Sequence, residues 1–131
     1  MLFNFQLSTP AEGMVNITPE VKEAIKESGV MEGFCVVYCP HTTAAITINE
    51  NADPDVQVDF LKGMRDAFPD SDKFAHAEGN SDAHLKSSSV GASEFLIVTG
   101  GQLLLGQWQG IYFCEFDGPR NRKFYVKVMG G

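Results

Sequence analysis

Ile111-Tyr112-Phe113-Cys114-Glu115-Phe116-Asp117-Gly118-Pro119-Arg120-Asn121-Arg122-Lys123-Phe124-Tyr125-Val126-Lys127-Val128 has the period of strands and nowhere that of a helix. Ile111, Phe113, Glu115 and Asp117 fall on one side of a strand, with Tyr112, Cys114 and Phe116 on the other. Asp117-Gly118-Pro119-Arg120-Asn121 makes a turn, and Phe124, Val126 and Val128 alternate in the strand that follows. Just upstream, residues 94–98 read as a strand, Gly100-Gly101 as a hairpin turn and residues 102–105 as the return. The last third of the chain is expected to be a β meander.

Outward from that stretch the pattern alternates between strand and helix. Phe3, Phe5 and Leu7 alternate with Asn4, Gln6 and Ser8, as in a half-buried strand. Residues 14–17 form a short strand and run into Thr18-Pro19-Glu20, where Thr18 suits a helix cap and Pro19 the first helical position. Val21, Ala24, Ile25 and Ser28 make the inward stripe, and Gly29 supplies a left-handed stop. Phe34-Cys35-Val36-Val37-Tyr38-Cys39 is an apolar strand, and residues 45–50 alternate again. Asp53-Pro54 repeats the cap-then-proline start, and Val56, Phe60, Met64, Ala67 and Phe68 recur at helical spacing. Residues 71–82 are polar and read as a long loop, with a short helix after them near Ala83-His84-Leu85-Lys86. Seven or eight strands with two or three helices give one α+β domain over residues 1–131.

A chain of this length buries about two-thirds of its unfolded surface and needs no staple. Apolar residues make up 44% and charged residues 21%, so disorder is not expected. The formal charge is −7, and the ten lysines and arginines are scattered except at Arg120-Asn121-Arg122-Lys123. No basic face exists to track a nucleic-acid backbone. A small phosphorylated molecule needs only a few local cations and is left open. The first residues lack a basic stretch followed by an apolar run, and no apolar run is long enough to span a bilayer, so a soluble cytoplasmic protein is expected. Four residues of strand put Cys35 and Cys39 about 13 Å apart, beyond disulfide reach. With Cys114 they read as packed thiols in a reducing compartment.

The three histidines, His41, His76 and His84, all lie in polar, loop-like segments. Three neutral imidazoles and a water make an open metal site in which the ion polarises an oxygen or activates water. Against that reading, eight residues separate His76 from His84, about 12 Å if helical, and no short ligand motif supports a cluster. Three unconnected surface histidines are the competing reading. Among the carboxylates, Asp53 reads as a helix cap and Asp59 as a solvated helix residue, while Glu50, at a strand end before a loop, is the candidate for proton transfer. Glu115 and Asp117 with Arg120 and Arg122 make either one wall of a cleft or an ion-paired hairpin. Arginine suits a phosphate clamp because guanidinium offers two parallel donors to a tetrahedral anion. Trp108 either stacks on an aromatic ligand or packs in the core.

His41-Thr42-Thr43-Ala44-Ala45, Asn49-Glu50-Asn51-Ala52-Asp53-Pro54, Glu78-Gly79-Asn80 with Ala83-His84-Leu85-Lys86, and Trp108-Gln109-Gly110 with Glu115-Phe116-Asp117-Gly118-Pro119-Arg120 resemble, in order, the YjbQ family. The resemblance implies a compact two-sheet, mostly antiparallel β sandwich with two or three helices, a homotrimer, and a secondary thiamine-phosphate synthase activity. That reaction joins a pyrimidine methyl pyrophosphate to a thiazole phosphate and releases pyrophosphate. Carried over by residue, it implies a divalent metal ion, zinc or magnesium, at His41, His76 and His84. Glu50, Glu115 and Asp117 would be catalytic, and Asn80, Trp108 and Arg120 would bind substrate. One departure is visible, Gln107 standing where the family usually has threonine.

Three readings follow from these residues. The first is the synthase, with the metal on phosphate oxygens, Arg120 as clamp and Glu50 moving protons. The second is a metal-dependent hydrolase, and the third a non-enzymatic trimer that binds a small anion or a metal. Sheet edges and 44% apolar residues in a short chain also point to covering by neighbouring copies.

Overall fold

A computed structural model describes all of residues 1–131. Eight strands and three helices follow the order β1 (Leu2–Ser8), β2 (Gly13–Asn16), α1 (Thr18–Ser28), β3 (Gly33–Tyr38), β4 (Ala44–Glu50), α2 (Pro54–Ala67), α3 (Ser81–Val90), β5 (Ser93–Thr99), β6 (Gln102–Leu103), β7 (Gln109–Glu115) and β8 (Asn121–Gly130). They form a five-stranded sheet in the order β1-β8-β3-β5-β6 and a three-stranded sheet in the order β2-β7-β4. Every strand pair is antiparallel. The α+β, two-sheet architecture is the one expected.

The alternation along each strand decides the layers. Cys35 and Val37 of β3, Leu96 and Val98 of β5, and Phe124, Val126 and Val128 of β8 point inward. They meet Ile46 of β4 and Ile111 and Phe113 of β7, with Val21, Ala24 and Ile25 of α1 closing one end. On the other side of β7, Tyr112, Cys114 and Phe116 pack with Ala45 and Ala83 into a second core that Phe60, Leu61 and Met64 of α2 partly cover.

β7 is therefore apolar on both faces, and a strand of that kind must lie between two layers. That is why the expected C-terminal meander stops at β5–β6. There Gly100 and Gly101, both at positive φ, make a two-residue turn. β7 crosses to the smaller sheet, and β8 inserts between β1 and β3.

The helix ends repeat one success and one correction. Asp53 caps α2 by accepting from the Asp55 N–H at 2.9 Å. Thr18 does not cap α1. Its hydroxyl is needed inside, where it accepts from the Ile111 N–H at 2.8 Å, and the Thr18 N–H goes to Asn16 Oδ1 at 3.0 Å instead. No helix is long and apolar enough to cross a membrane.

Candidate functional site

At one end of the sandwich the inward rows of β7 and β8 finish on charged residues. Glu115 extends the row of Ile111 and Phe113, and Arg122 that of Phe124 and Val126. Glu115 is fully buried and Arg122 nearly so. Arg122 Nε donates to Glu115 Oε1 at 2.8 Å and Nη2 to Oε2 at 2.5 Å. The Thr9 hydroxyl donates to Oε1 at 2.5 Å, and the Asp117 N–H to Oε2 at 3.0 Å. Each carboxylate oxygen thus accepts two hydrogen bonds. Arg122 Nη2 also reaches Thr43 Oγ1 at 2.8 Å, tying β8 to the loop before β4. Burial opposes ionisation of Glu115, but the hydrogen bonds from Arg122, Thr9 and the Asp117 backbone outweigh it and hold the carboxyl below its usual range. The Arg122 guanidinium is held above its usual range by the Glu115 contact.

Of the two sequence readings for these groups, the ion-paired hairpin describes Glu115 and Arg122. With all its acceptor capacity engaged inside the protein, Glu115 offers nothing to a substrate.

The turn between β7 and β8 carries a second pair that faces outward. Arg120 donates through Nε to the Asp117 carbonyl at 2.7 Å and through Nη2 to Asp117 Oδ2 at 2.9 Å. Asn80 Nδ2 donates to the same Oδ2 at 2.7 Å. Burial raises the Asp117 carboxyl, and the bonds from Asn80 and Arg120 more than offset it, leaving it below its usual range. The Asn80 Oδ1 is buried and has no donor. Asn80 precedes α3, and the histidine pair lies within one turn of it. The Gly79 N–H bonds back to the His76 carbonyl, the His84 N–H bonds to the Asn80 carbonyl, and the imidazoles of His76 and His84 meet edge to face at 5.4 Å. The eight-residue gap closes because the chain turns at Gly79, at φ 78°, before the helix starts. Lys86, buried on the same helix, reaches Asp82 at 3.2 Å.

His41 stands apart from that pair. Its Nε2 accepts from the Lys123 N–H at 3.1 Å, and its ring packs edge-on to Phe113 at 6.4 Å. Burial and the nearby Arg122 lower its pKa, so the imidazole is neutral at neutral pH. No three of the histidine, cysteine, aspartate and glutamate side chains converge as a metal-ligand set. The single ion expected at His41, His76 and His84 has no such site within the chain. The hydrolase reading, which needed metal-bound water, loses its basis with it.

Glu50 and Trp108 belong to the opposite end. Ala44 pairs with Glu115 and Glu50 with Gln109, so six residues of β4 separate Glu50 from the charged end, about 20 Å. Glu50 and Glu115 cannot act on one small substrate. Around Glu50, the Tyr112 hydroxyl accepts from Gln57 Nε2 at 2.9 Å and lies 2.9 Å from Asn51 Oδ1. Trp108 is more than half exposed in the turn before β7, so it is not a core residue. Its neighbour Gln107 lines a cleft between α1 and the β6–β7 segment.

Thr9, Thr43 and Lys86 were not singled out as site residues by the sequence reading, and Arg122 was named there as part of a cleft wall or an ion-paired hairpin. The inward place of Arg122 and the Asp82–Lys86 pair were findable. Arg122 continues the inward alternation of β8 by two positions, and Lys86 stands four residues after Asp82 on a helix. Thr9 and Thr43 carry no local signal, because their partners are 106 and 79 residues away.

A model of the family described as UPF0047 protein YjbQ-like matches residues 3–131. UPF0047 protein MJ1081 of Methanocaldococcus jannaschii is 55% identical over 131 residues, covering 99% of this chain and 95% of that protein. The solved structure of an uncharacterized conserved protein of the same family from Clostridium acetobutylicum matches with a TM-score of 0.95 at 52% identity, over 97% of this chain and 99% of the other. A YbjQ-like protein of unknown function from Sulfolobus solfataricus matches with a TM-score of 0.95 at 30% identity, over 100% of this chain and 97% of the other. None of these relatives is assigned an activity, and one is expressly of unknown function. The expectation of thiamine-phosphate synthesis is corrected on that ground and on the separation of its proposed catalytic groups and metal ligands.

Proposed function

The chain belongs to the UPF0047 YjbQ-like family, and from that premise we propose that it works as a homotrimer and recognises a small phosphorylated molecule at the Arg120 end of the sandwich. The observation that carries the ligand reading is the state of Arg120. Two of its five N–H groups are committed to Asp117, which fixes the guanidinium plane, and the side chain is half exposed with its remaining donors uncommitted. A guanidinium held in place before binding loses little entropy when it takes two phosphate oxygens. Asn80 bonds the same Asp117 carboxylate and leads into the segment that carries the His76–His84 pair, so imidazole groups stand near the Arg120 end for a second polar group of the ligand.

Support for assembly comes from the outer face of the five-stranded sheet. Phe95, Ile97, Leu104 and Met129 are exposed there, and Phe34 stacks on Phe95 at 4.9 Å. A contiguous apolar patch on a sheet face is a surface that another copy covers. The cytoplasm suits the three cysteines, all free and buried. Burial pushes Cys35 and Cys39 up to about 11 and Cys114 up to about 12, so they remain unreactive thiols.

Calorimetric titration with pyrophosphate and phenyl phosphate tests the ligand reading. Arg120→Lys, which keeps the charge and loses the fork, is expected to weaken binding about tenfold. Absence of saturable binding at millimolar ligand, or equal binding by Arg120→Lys, would overturn it. Sedimentation tests the assembly. The wild type is expected near three times 14.3 kDa and Phe95→Glu/Ile97→Glu near one. A monomeric wild type at tens of micromolar would rule the trimer out.

A further inference from the structure

The cleft between α1 and the β6–β7 segment encloses about 660 Å³, within the usual range for small-molecule sites. Its electrostatics run against those of the chain. The protein carries 17 acidic residues against ten lysines and arginines, yet no aspartate or glutamate lines this cleft, and two lysines do. Lys22 and Lys26 are one turn apart on α1, and neither is tied up in an ion pair.

Two of the facing amides, Gln109 and Asn51, are oriented by the fold with their oxygens already accepting and their N–H groups free. A backbone N–H can only donate, and the Gly106 N–H takes Gln109 Oε1 at 2.8 Å, so Gln109 keeps its Nε2 free. The Thr18 N–H takes Asn16 Oδ1, which makes Asn16 Nδ2 the donor to Asn51 Oδ1 at 3.0 Å, and Asn51 in turn keeps its Nδ2 free. Gly110 makes room for this arrangement, since a Cβ there would meet the Asn51 side chain at 2.9 Å. Ile25, Leu103 and Leu105 supply the apolar part of the lining.

We infer that this cleft is a second binding site, for a small organic acid. Its anionic head is held by Lys22 and Lys26 together with the N–H groups of Asn51 and Gln109, and its short apolar body lies on Ile25, Leu103 and Leu105. Ammonium and amide donors without a competing carboxylate select an anion over a neutral or cationic analogue. The site is independent of the one at Arg120, from which the length of β4 separates it, about 20 Å. Gln102 and Gln107, whose amides make no bond within the chain, lie at the same cleft and are placed to read polar substituents on the acid.

The test is a titration of the ¹⁵N-labelled full chain followed by NMR, with hexanoate, hexyl phosphate, hexanol and hexylamine as separate probes. The two acids distinguish a carboxylate from a phosphate head, and the alcohol and amine control for apolar contact alone. Saturable shifts of the Asn51 and Gln109 side-chain amides and of residues 101–109 are expected with at least one acid and with neither control. Lys22→Ala/Lys26→Ala changes two exposed residues and leaves the fold intact; it is expected to weaken that acid at least tenfold. Arg120→Lys is expected to leave it unchanged. No saturable shift with either acid up to 10 mM, equal shifts with hexanol, or undiminished binding by the double variant would each overturn the inference.

Discussion

Replacing Glu115 by glutamine keeps the shape of the side chain and removes its charge, which isolates the buried ion pair. The carboxylate accepts two bonds at each oxygen, from Thr9 and Arg122 Nε at one and from Arg122 Nη2 and Asp117 N–H at the other. Whichever way the amide turns, its NH₂ faces two donors. Arg122 stays charged and buried with no carboxylate beside it, only Thr43 and the one remaining amide oxygen. Removing one partner of a buried pair costs about 3–5 kcal/mol. For a chain of 131 residues, about 4 kcal/mol lowers Tm by about 15 °C.

The companion variant is Glu115→Leu/Arg122→Met, which removes both charges. The Thr9 hydroxyl still has the Arg120 carbonyl at 3.0 Å, so the groups left unpartnered are the Asp117 N–H and Thr43 Oγ1, neither of them charged. The double variant is therefore expected to be more stable than Glu115→Gln. Urea unfolding at pH 7 measures all three proteins, with unchanged m as the check on two-state behaviour. A Glu115→Gln loss under about 1 kcal/mol, or a double variant no more stable than the single, would refute the assignment of Glu115 to structure.

Other outcomes follow from the same geometry. Glu115, Asp117 and His41 all have folded pKa values below their ordinary ones of 4.5, 3.8 and 6.5, so the unfolded chain binds more protons than the folded one as pH falls. Stability is expected in full above pH 6.5, with a first decline below it from His41 and a steeper one below about 4.5 from the carboxylates. Urea midpoints from pH 8 to 4 check this, and His41→Gln should flatten the first decline; an unaltered slope in that variant would remove His41 as its source. Asp53→Ala should cost about 1 kcal/mol through loss of the cap on α2, and Asp53→Asn close to nothing. Equal losses for the two would mean that charge rather than the Asp55 N–H bond matters there.

Much of the fold is legible in the one-dimensional pattern because the strands alternate cleanly. β1, β3, β5 and β8 each bury one row, and the Gly100-Gly101 turn and the Asp53 cap are local features that need no distant partner. The pairing of β7 is not local. Its two apolar faces are visible in Ile111, Phe113 and in Tyr112, Cys114, yet which sheet receives it depends on what α3 and β4 leave open. The Thr18 cap failed for a related reason. Thr18 has the right chemistry for a cap, but the Ile111 N–H, 93 residues away, takes its hydroxyl.

At the candidate site, residue identity was legible and grouping was not. The sequence reading joined Glu50, Glu115, Asp117 and Arg120 into one partner list, and the register of β4 against β7 puts Glu50 at the far end. The grouping that does hold is set by strand parity. Glu115 and Arg122 lie on the inward rows of β7 and β8, so they are drawn into the core and must satisfy each other there. Asp117 and Arg120 fall in the turn between those strands, where the rows end, and their pair stays at the surface. Two carboxylates and two guanidiniums within eight residues thus divide into a fastening and a recognition edge, and the recognition edge is rigid because the fastening beneath it is: the Asp117 N–H that positions Asp117 beside Arg120 is itself bound to Glu115.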